Sequence, residues 1–250
     1  MAIYFFDVLD STNTYLKAHQ TTYQHGDCIV AHEQKAGKGQ LGNSWESEAY
    51  KNLHCSMLIK WSRLKAEDAF QISKWVSLVL MSVIKSIDSS FEPKIKWPND
   101  LYLNGKKIAG ILIENSIQNR SIDQSVIGIG LNINQLKFSP PLDKTASSLA
   151  IESEKYFDLS KITQQIHDEL NEAFDFGQIH QKRNLNTLYL RHLLGLDELR
   201  YFEDKDGVFQ GIIKNVDDSG KLNVLKVSPN PEQTIAQKTC SYDLKELKFL

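Results

Sequence analysis

Leu53, Cys55, Met57, Ile59 and Trp61 alternate with His54, Ser56 and Lys60. A period of two is that of a β-strand, so 53–61 reads as a half-buried strand, with Leu58 the one break in the pattern. The next segment changes period. Apolar side chains at 69, 72, 76, 79, 80, 83, 84 and 87 predict a long amphipathic helix over 66–87. Upstream, 3–9 is apolar enough for a buried strand. Asp10 or Ser11 can cap a helix that turns Leu16 inward, and 27–34 reads as a second strand.

Further strands are expected at 94–97, 101–104 and 106–115. Asn104-Gly105 joins the last two as a hairpin, because both turn positions tolerate positive φ. Residues 124–134 read as another strand, whose Gly128 and Gly130 would let a ligand or a backbone come close. A polar, proline-containing loop fills 135–147. Ile162, Ile166, Leu170 and Phe174 lie four apart and predict a helix over 160–175 capped at Ser160; 184–194 reads as one more. After about Gly195 the chain turns to short strands separated by Asp-Gly and Asp-Asp-Ser-Gly turns. The expected division is a body over 1–194 and an all-β module over 195–250, too small for a large core and docked on the body.

Composition narrows the partners. The 250 residues carry a net charge of −2, so no global basic field holds the chain on nucleic acid or a membrane. Cys28, Cys55 and Cys240 are sparse and far apart, which argues against a disulfide framework and against zinc. The histidines show no repeated metal-ligand spacing, and His32-Glu33 reads as a polar strand end. "MAIYFFDVLDSTN" lacks a basic n-region, and no stretch approaches the ~18 uninterrupted apolar residues of a membrane span. A cytoplasmic protein is expected, with monomer and homodimer both open.

Two stretches carry candidate chemistry. In "EQKAGKGQLGNSWES" (33–47), Gly37, Gly39 and Gly42 allow backbone N–H groups to turn toward an anion, with Lys35 and Lys38 nearby. The loop fits neither a P-loop nor Gly-x-Gly-x-x-Gly, and taken alone it also reads as a flexible connection. In "KWPNDLYLNGKKIAG" (96–110), Asn99 and Asp100 can form an Asx turn, or hold a ribose, a phosphate or magnesium. Lys107 shares the parity of Ala109, Ile111 and Ile113, whereas Lys106 shares that of Ile108 and Leu112. The strand looks buried on both faces, so parity does not choose between the lysines, but an ammonium there needs an anionic partner.

"STN" (11–13), the loop from Gln34 to Trp45, "KWPNDLYLNGKKIAGILIE" (96–114) and "GIGLNIN" (128–134) occur in an order and spacing that resembles the biotin–protein ligases. The resemblance runs over roughly 3–250. It implies an α+β fold: a mixed sheet flanked by helices, of the class II aminoacyl-tRNA synthetase and biotin ligase type, with a small SH3-like β-barrel at the C-terminus. No helix-turn-helix precedes these motifs, so the expectation is a monofunctional ligase. The implied chemistry makes biotinyl-5′-adenylate from biotin and MgATP, then passes biotin to a lysine of a biotin carboxyl carrier domain of a biotin-dependent carboxylase.

By the same resemblance, Ser11, Thr12, Asn13, Gln34, Lys38, Gly39, Gln40 and Lys107 would contact biotin. Lys38, Gln40, Leu41, Gly42, Asn43, Trp45, Asn99, Lys107 and Asn132 would serve the nucleotide. Lys107 and Asp100 would be catalytic, with Asp100 also toward Mg2+. The family loop usually reads Gly-Arg-Gly-Arg/Gln-Arg/Gly-Gly; here it is Gly-Lys-Gly-Gln-Leu-Gly, without arginine. Lysine keeps the charge and loses the bidentate fork, so weaker retention of the adenylate is expected. Lipoate–protein ligase and a non-catalytic biotin or adenylate binder are the alternatives. A nucleic-acid adaptor role for the C-terminal module lacks any basic-aromatic stripe.

Overall fold

The chain from Ile3 to Leu131 builds one sheet in the computed structural model, which describes residues 1–175, 182–227 and 238–250. Its elements are β1 (Ile3–Leu9), α1 (Thr12–Ala18), β2 (Cys28–Gln34), β3 (Leu53–Lys65), α2 (Phe70–Ile87), β4 (Lys94–Lys96), β5 (Asp100–Leu103), β6 (Lys106–Gln118) and β7 (Ser121–Leu131). The seven strands run β1-β2-β3-β7-β6-β5-β4. β1 and β2 are parallel because α1 forms the crossover between them; the other neighbours are antiparallel. The Asn104-Gly105 turn has φ of 49° and 79°, as the dipeptide requires.

α2 packs on one face of this sheet together with α4 (Leu159–Asp175) and α5 (Lys182–Arg191), while a short α3 (Leu149–Ser153) follows the proline loop. Ile72, Val76, Leu80 and Ile84 of α2 share a core with Met57, Ile59, Ile127 and Ile129. This helix is also long and apolar enough to cross a membrane by length and composition, but here its apolar face meets the sheet. On the opposite face α1 covers a smaller cluster of Leu16, Tyr23, Ile29, Leu58 and Val126.

That second cluster corrects the reading of β3. Leu58 breaks the alternation because it is buried under α1, and the strand is covered on both faces rather than one. His54 and Ser56, on the polar face, are buried too. The expectation for 3–9 also fails in burial. β1 is a sheet edge, and Tyr4, Phe5 and Val8 are exposed. The α4 cap is Asp158, whose Oδ1 accepts from the Ser160 and Lys161 amides, not Ser160 itself. The strand expected at 124–134 ends at Leu131, although the Asn132 amide still donates to the Ile108 carbonyl of β6 in the same register.

The all-β texture after Gly195 forms a second sheet of β8 (Leu199–Asp204), β9 (Gly207–Val216), β10 (Leu222–Val227), β11 (Lys238–Tyr242) and β12 (Lys248–Phe249). It is antiparallel throughout, in the order β11-β10-β9-β8-β12. Phe202, Ile213, Val216, Leu222 and Val224 join the core cluster that fills the first sheet. The seam is polar as well. Trp97 Nε1 donates to the Gly220 carbonyl at 2.8 Å. The buried Lys74 ammonium reaches Asn186 Oδ1 at 2.9 Å and the Asp217 carbonyl at 3.2 Å.

Candidate functional site

A cavity of about 540 Å³ opens where the α1 N-terminus, the glycine loop, strands β3 and β5–β7, and the turn before β12 converge. Its α1 end is a hydrogen-bonded row. The Gln34 side-chain carbonyl accepts from the Thr12 amide at 2.8 Å and the Thr12 hydroxyl at 3.2 Å. Ser56 Oγ lies 2.7 Å from Thr12 Oγ1 and 2.5 Å from Asn13 Oδ1. Asn13 Nδ2 donates to Glu114 Oε2 and the Leu112 carbonyl. Ser11 caps the helix by accepting from the Thr14 amide. Ser11, Thr12, Asn13 and Gln34 thus all reach the cavity, but Asn13 spends its amide on the scaffold.

Gly128 makes that row possible. A β-carbon there would stand 2.0 Å from Asn13 Oδ1. Gly110 and Gly130 serve a different neighbour. A β-carbon would meet the Trp45 indole at 3.0 Å in the first and 2.6 Å in the second. The room expected above the strand glycines is therefore taken by protein side chains.

Trp45 is placed by the loop's own hydrogen bonds. Gly39 N–H donates to the Asn43 carbonyl at 2.7 Å, Asn43 N–H to Gln40 at 3.1 Å, and Trp45 N–H to Gly37 at 2.9 Å. A 3-10 turn at Gln40–Gly42 closes this small hairpin. Lys38, Gly39, Gln40, Asn43 and Trp45 line the cavity. Gly42 sits in the turn without lining it, and the side chain of Leu41 lies outside the described set.

The β5–β6 hairpin decides which lysine turns inward. Leu101 pairs with Ala109 but Tyr102 with Lys107, so Ile108 is an extra residue. This bulge overturns the parity count: Lys107 joins the face of Gly110, not that of Ala109 and Ile111. Its ammonium is 2.7 Å from Asp100 Oδ1 and 5.4 Å from the centre of a Trp45 ring. Lys106 does not line the cavity. Asn99 is buried and holds β6 through its side chain, Nδ2 donating to the Ile111 carbonyl at 2.5 Å. This fixes the neighbouring Asp100. Asn132 is buried outside the cavity wall and donates to the Ser147 carbonyl at 3.0 Å.

Sequence reasoning missed a wall. Cys55, Lys96 and Trp97 line the cavity, as do Leu244, Lys245, Leu247, Lys248 and Phe249 from the second sheet. Alternation along 53–61 placed Cys55 on the apolar face but gave no sign of a cavity there. Among the described residues the wall thus carries Lys38, Lys96, Lys107, Lys245 and Lys248 against one acid, Asp100. A concave surface with that imbalance attracts polyanions although the whole chain is slightly acidic. Among the described residues no three His, Cys, Asp or Glu side chains converge as a metal cage.

Comparison with known proteins places this geometry. The chain is 28% identical over 224 residues to the Bifunctional ligase/repressor BirA of Bacillus spizizenii, covering 86% of this chain and 67% of that protein. It is 27% identical over 204 residues to the Biotin–[acetyl-CoA-carboxylase] ligase of Paracoccus denitrificans, covering 78% of this chain and 82% of that one. Its fold matches the biotin protein ligase from Aquifex aeolicus, solved in complex with biotin and ATP, with a TM-score of 0.78 over 100% of this chain and 99% of that chain at 21% identity. Residues 5–132, which hold the Ser11–Asn13 row, the loop and the Asp100–Lys107 hairpin, match the Biotin/lipoate A/B protein ligase model, and the chain belongs to that family.

Proposed function

We propose that this protein is an ATP-dependent ligase that activates biotin as biotinyl-5′-adenylate and transfers it to a lysine of a biotin carboxyl carrier domain. The observation that carries the reading is the Lys107 ammonium at the cavity wall, held between Asp100 and Trp45. Biotin carboxylate and ATP repel each other, and a fixed cation between them offsets that repulsion. It also stabilises the charge that builds at the α-phosphorus. A carboxylate oxygen of biotin bonds to the α-phosphorus as the bond to the bridging oxygen of pyrophosphate breaks. In the second step the carrier ε-amine bonds to the acyl carbon, AMP leaves, and the amine gives up a proton.

The remaining residues take positions suited to these substrates. Thr12, Gln34 and Ser11 form a polar end wall for biotin, with Asn13 ordering it from behind. Lys38, Gly39 and Gln40 close over the acyl-phosphate region. Asn43 and Trp45 flank the adenylate, and Asn99 orients Asp100. Leu41, Gly42 and Asn132 act through the loop and strand backbones. Among the described residues Asp100 is the one carboxylate in the wall, which fits Mg2+ held chiefly by substrate phosphates; when bound, that ion would neutralise phosphate charge. A cytoplasmic location accords with this reading, which needs MgATP and a protein substrate.

Lipoate ligation is not favoured, since two of the similar proteins named above are named as biotin ligases. The test supplies labelled biotin, MgATP and a carrier domain. Label on the carrier, with pyrophosphate released, supports the reading. ATP–pyrophosphate exchange driven by lipoate and not by biotin defeats it, and so does binding of biotin without transfer.

A further inference from the structure

Lys96 lies directly across from Asp100 in the β4–β5 pairing. The Asp100 carboxylate is taken by Lys107, and no carboxylate pairs with Lys96 among the described residues. Its ammonium instead donates to the Tyr102 hydroxyl at 3.2 Å, and lies 5.1 Å from the Tyr102 ring and 5.3 Å from the Phe249 ring. Burial pushes its pKa down, outweighing the pull of the Asp100 charge, which is already paired with Lys107. Lys248 is tied to Glu203 at 3.0 Å, and Lys38 and Lys245 are exposed. Lys96 is therefore the half-buried cation of this wall that is aimed and unspent.

Phe249 comes from the other sheet. It pairs with Phe202 across β12–β8, and the two rings meet edge to face at 5.3 Å. Its place over Lys96 is thus fixed by the core of the second sheet. The two cavity lysines of the β4–β5–β6 hairpins flank Asp100 from opposite sides. A polyanion entering the cavity therefore meets two cationic contacts, Lys107 and Lys96, with Asp100 between them.

We infer that Lys96 binds the β,γ-phosphates of ATP, the portion released as pyrophosphate, and that Phe249 is a positioning residue holding the Lys96 ammonium over that place. This rests on the adenylation reading above. It gives the second sheet a part in nucleotide capture. It also supplies, from β4, some of the cationic charge that the arginine-free glycine loop lacks.

The test uses the full chain with Lys96→Gln, Lys96→Arg, Phe249→Leu and Phe249→Tyr. Four quantities are read: KM for ATP in adenylate formation, the pyrophosphate concentration that reverses it, biotin affinity, and biotin transfer from added biotinyl-adenylate. Losing one charge-assisted hydrogen bond predicts that Lys96→Gln raises both the KM and the pyrophosphate requirement about tenfold or more. Biotin affinity and transfer from added adenylate stay within about twofold, because neither involves the outer phosphates. Lys96→Arg restores most of the loss. Phe249→Leu raises the KM for ATP by roughly threefold, and Phe249→Tyr, which keeps the ring, recovers it. An unchanged KM for ATP in Lys96→Gln overturns the inference, as does an equal fall in transfer from added adenylate. Should Lys96→Gln fail to fold, the Phe249 pair decides alone: equal KM values in Leu and Tyr variants overturn it. Wild-type protein that makes no adenylate from biotin and ATP sinks the ligase reading itself. Active wild type with an indifferent Lys96 sinks only this one.

Discussion

Asp100 and Lys107 meet at 2.7 Å only because Ile108 is an extra residue in β6. In regular pairing the lysine would fall on the opposite face of the strand. The ion pair is partly exposed, with side chains at 31% and 22%, so its value to folding is small. Its importance lies in where it holds a cation. Lys107→Ala should therefore leave thermal stability nearly unchanged and cut adenylate formation about a hundredfold or more. Transfer from added adenylate should fall less. Equal losses in the two half-reactions, measured by single turnover, would show that Lys107 does not act at the α-phosphorus.

Gly128→Ala tests the polar end wall. The new methyl would overlap Asn13 Oδ1 and break its bond with Ser56. Overpacking of this kind costs about 1–3 kcal/mol, which a urea midpoint resolves. Biotin affinity should fall as well. Asn13→Ala alone opens space beside Gly128, so the double variant should be more stable than the sum of the singles predicts. Strict additivity would mean that the two residues are not coupled.

His54 gives the fold a defined acid weakness. Its Nδ1 lies 3.3 Å from the Ala31 carbonyl, and burial pushes its pKa down to about 4. In the unfolded chain the ring titrates near 6.5. Below that pH the unfolded state takes up a proton that the native state refuses. The histidine contribution is therefore complete above pH 6.5 and is lost as pH falls toward 4, by about 3 kcal/mol. His54→Gln should flatten the dependence of urea stability over this window. A variant with an unaltered slope between pH 6.5 and 4 would assign the acid loss to other groups.

Gln40→Arg restores a guanidinium to the loop. Adenylate dissociation should slow by roughly tenfold, the value of one charge-assisted contact, with little change in biotin affinity. Stopped-flow release of adenylate measures it directly, and an unchanged rate would mean that the residue at 40 does not touch the phosphate.

Much of the architecture was legible because period and turn chemistry act locally. The α2 stripe, the Asn104-Gly105 turn and the β-rich tail all follow from neighbours in sequence. The misread burials were non-local. Tyr4, Phe5 and Val8 look like core residues, and only the strand order reveals that β1 lies at an edge. Ser56 looks like a solvent-facing residue until α1 folds over it, and His54, equally polar, is buried against the Ala31 carbonyl. The candidate site was readable where its residues share one motif, as in 96–110. The wall from Leu244 to Phe249 was not, because nothing in that stretch signals that the second sheet packs against Lys96 and Trp97. The bulge at Ile108 left no mark in composition either, since an inserted isoleucine in an apolar strand looks like any other.

Trp45 rests its indole against Gly110 and Gly130, inside the cavity where substrates are expected. Trp97 lines the same cavity, whereas Trp61 and Trp75 pack against Phe174 and do not line it. Intrinsic fluorescence therefore carries an optical report of occupancy from Trp45 and Trp97, and binding can be followed in the unlabelled molecule without building a probe into it.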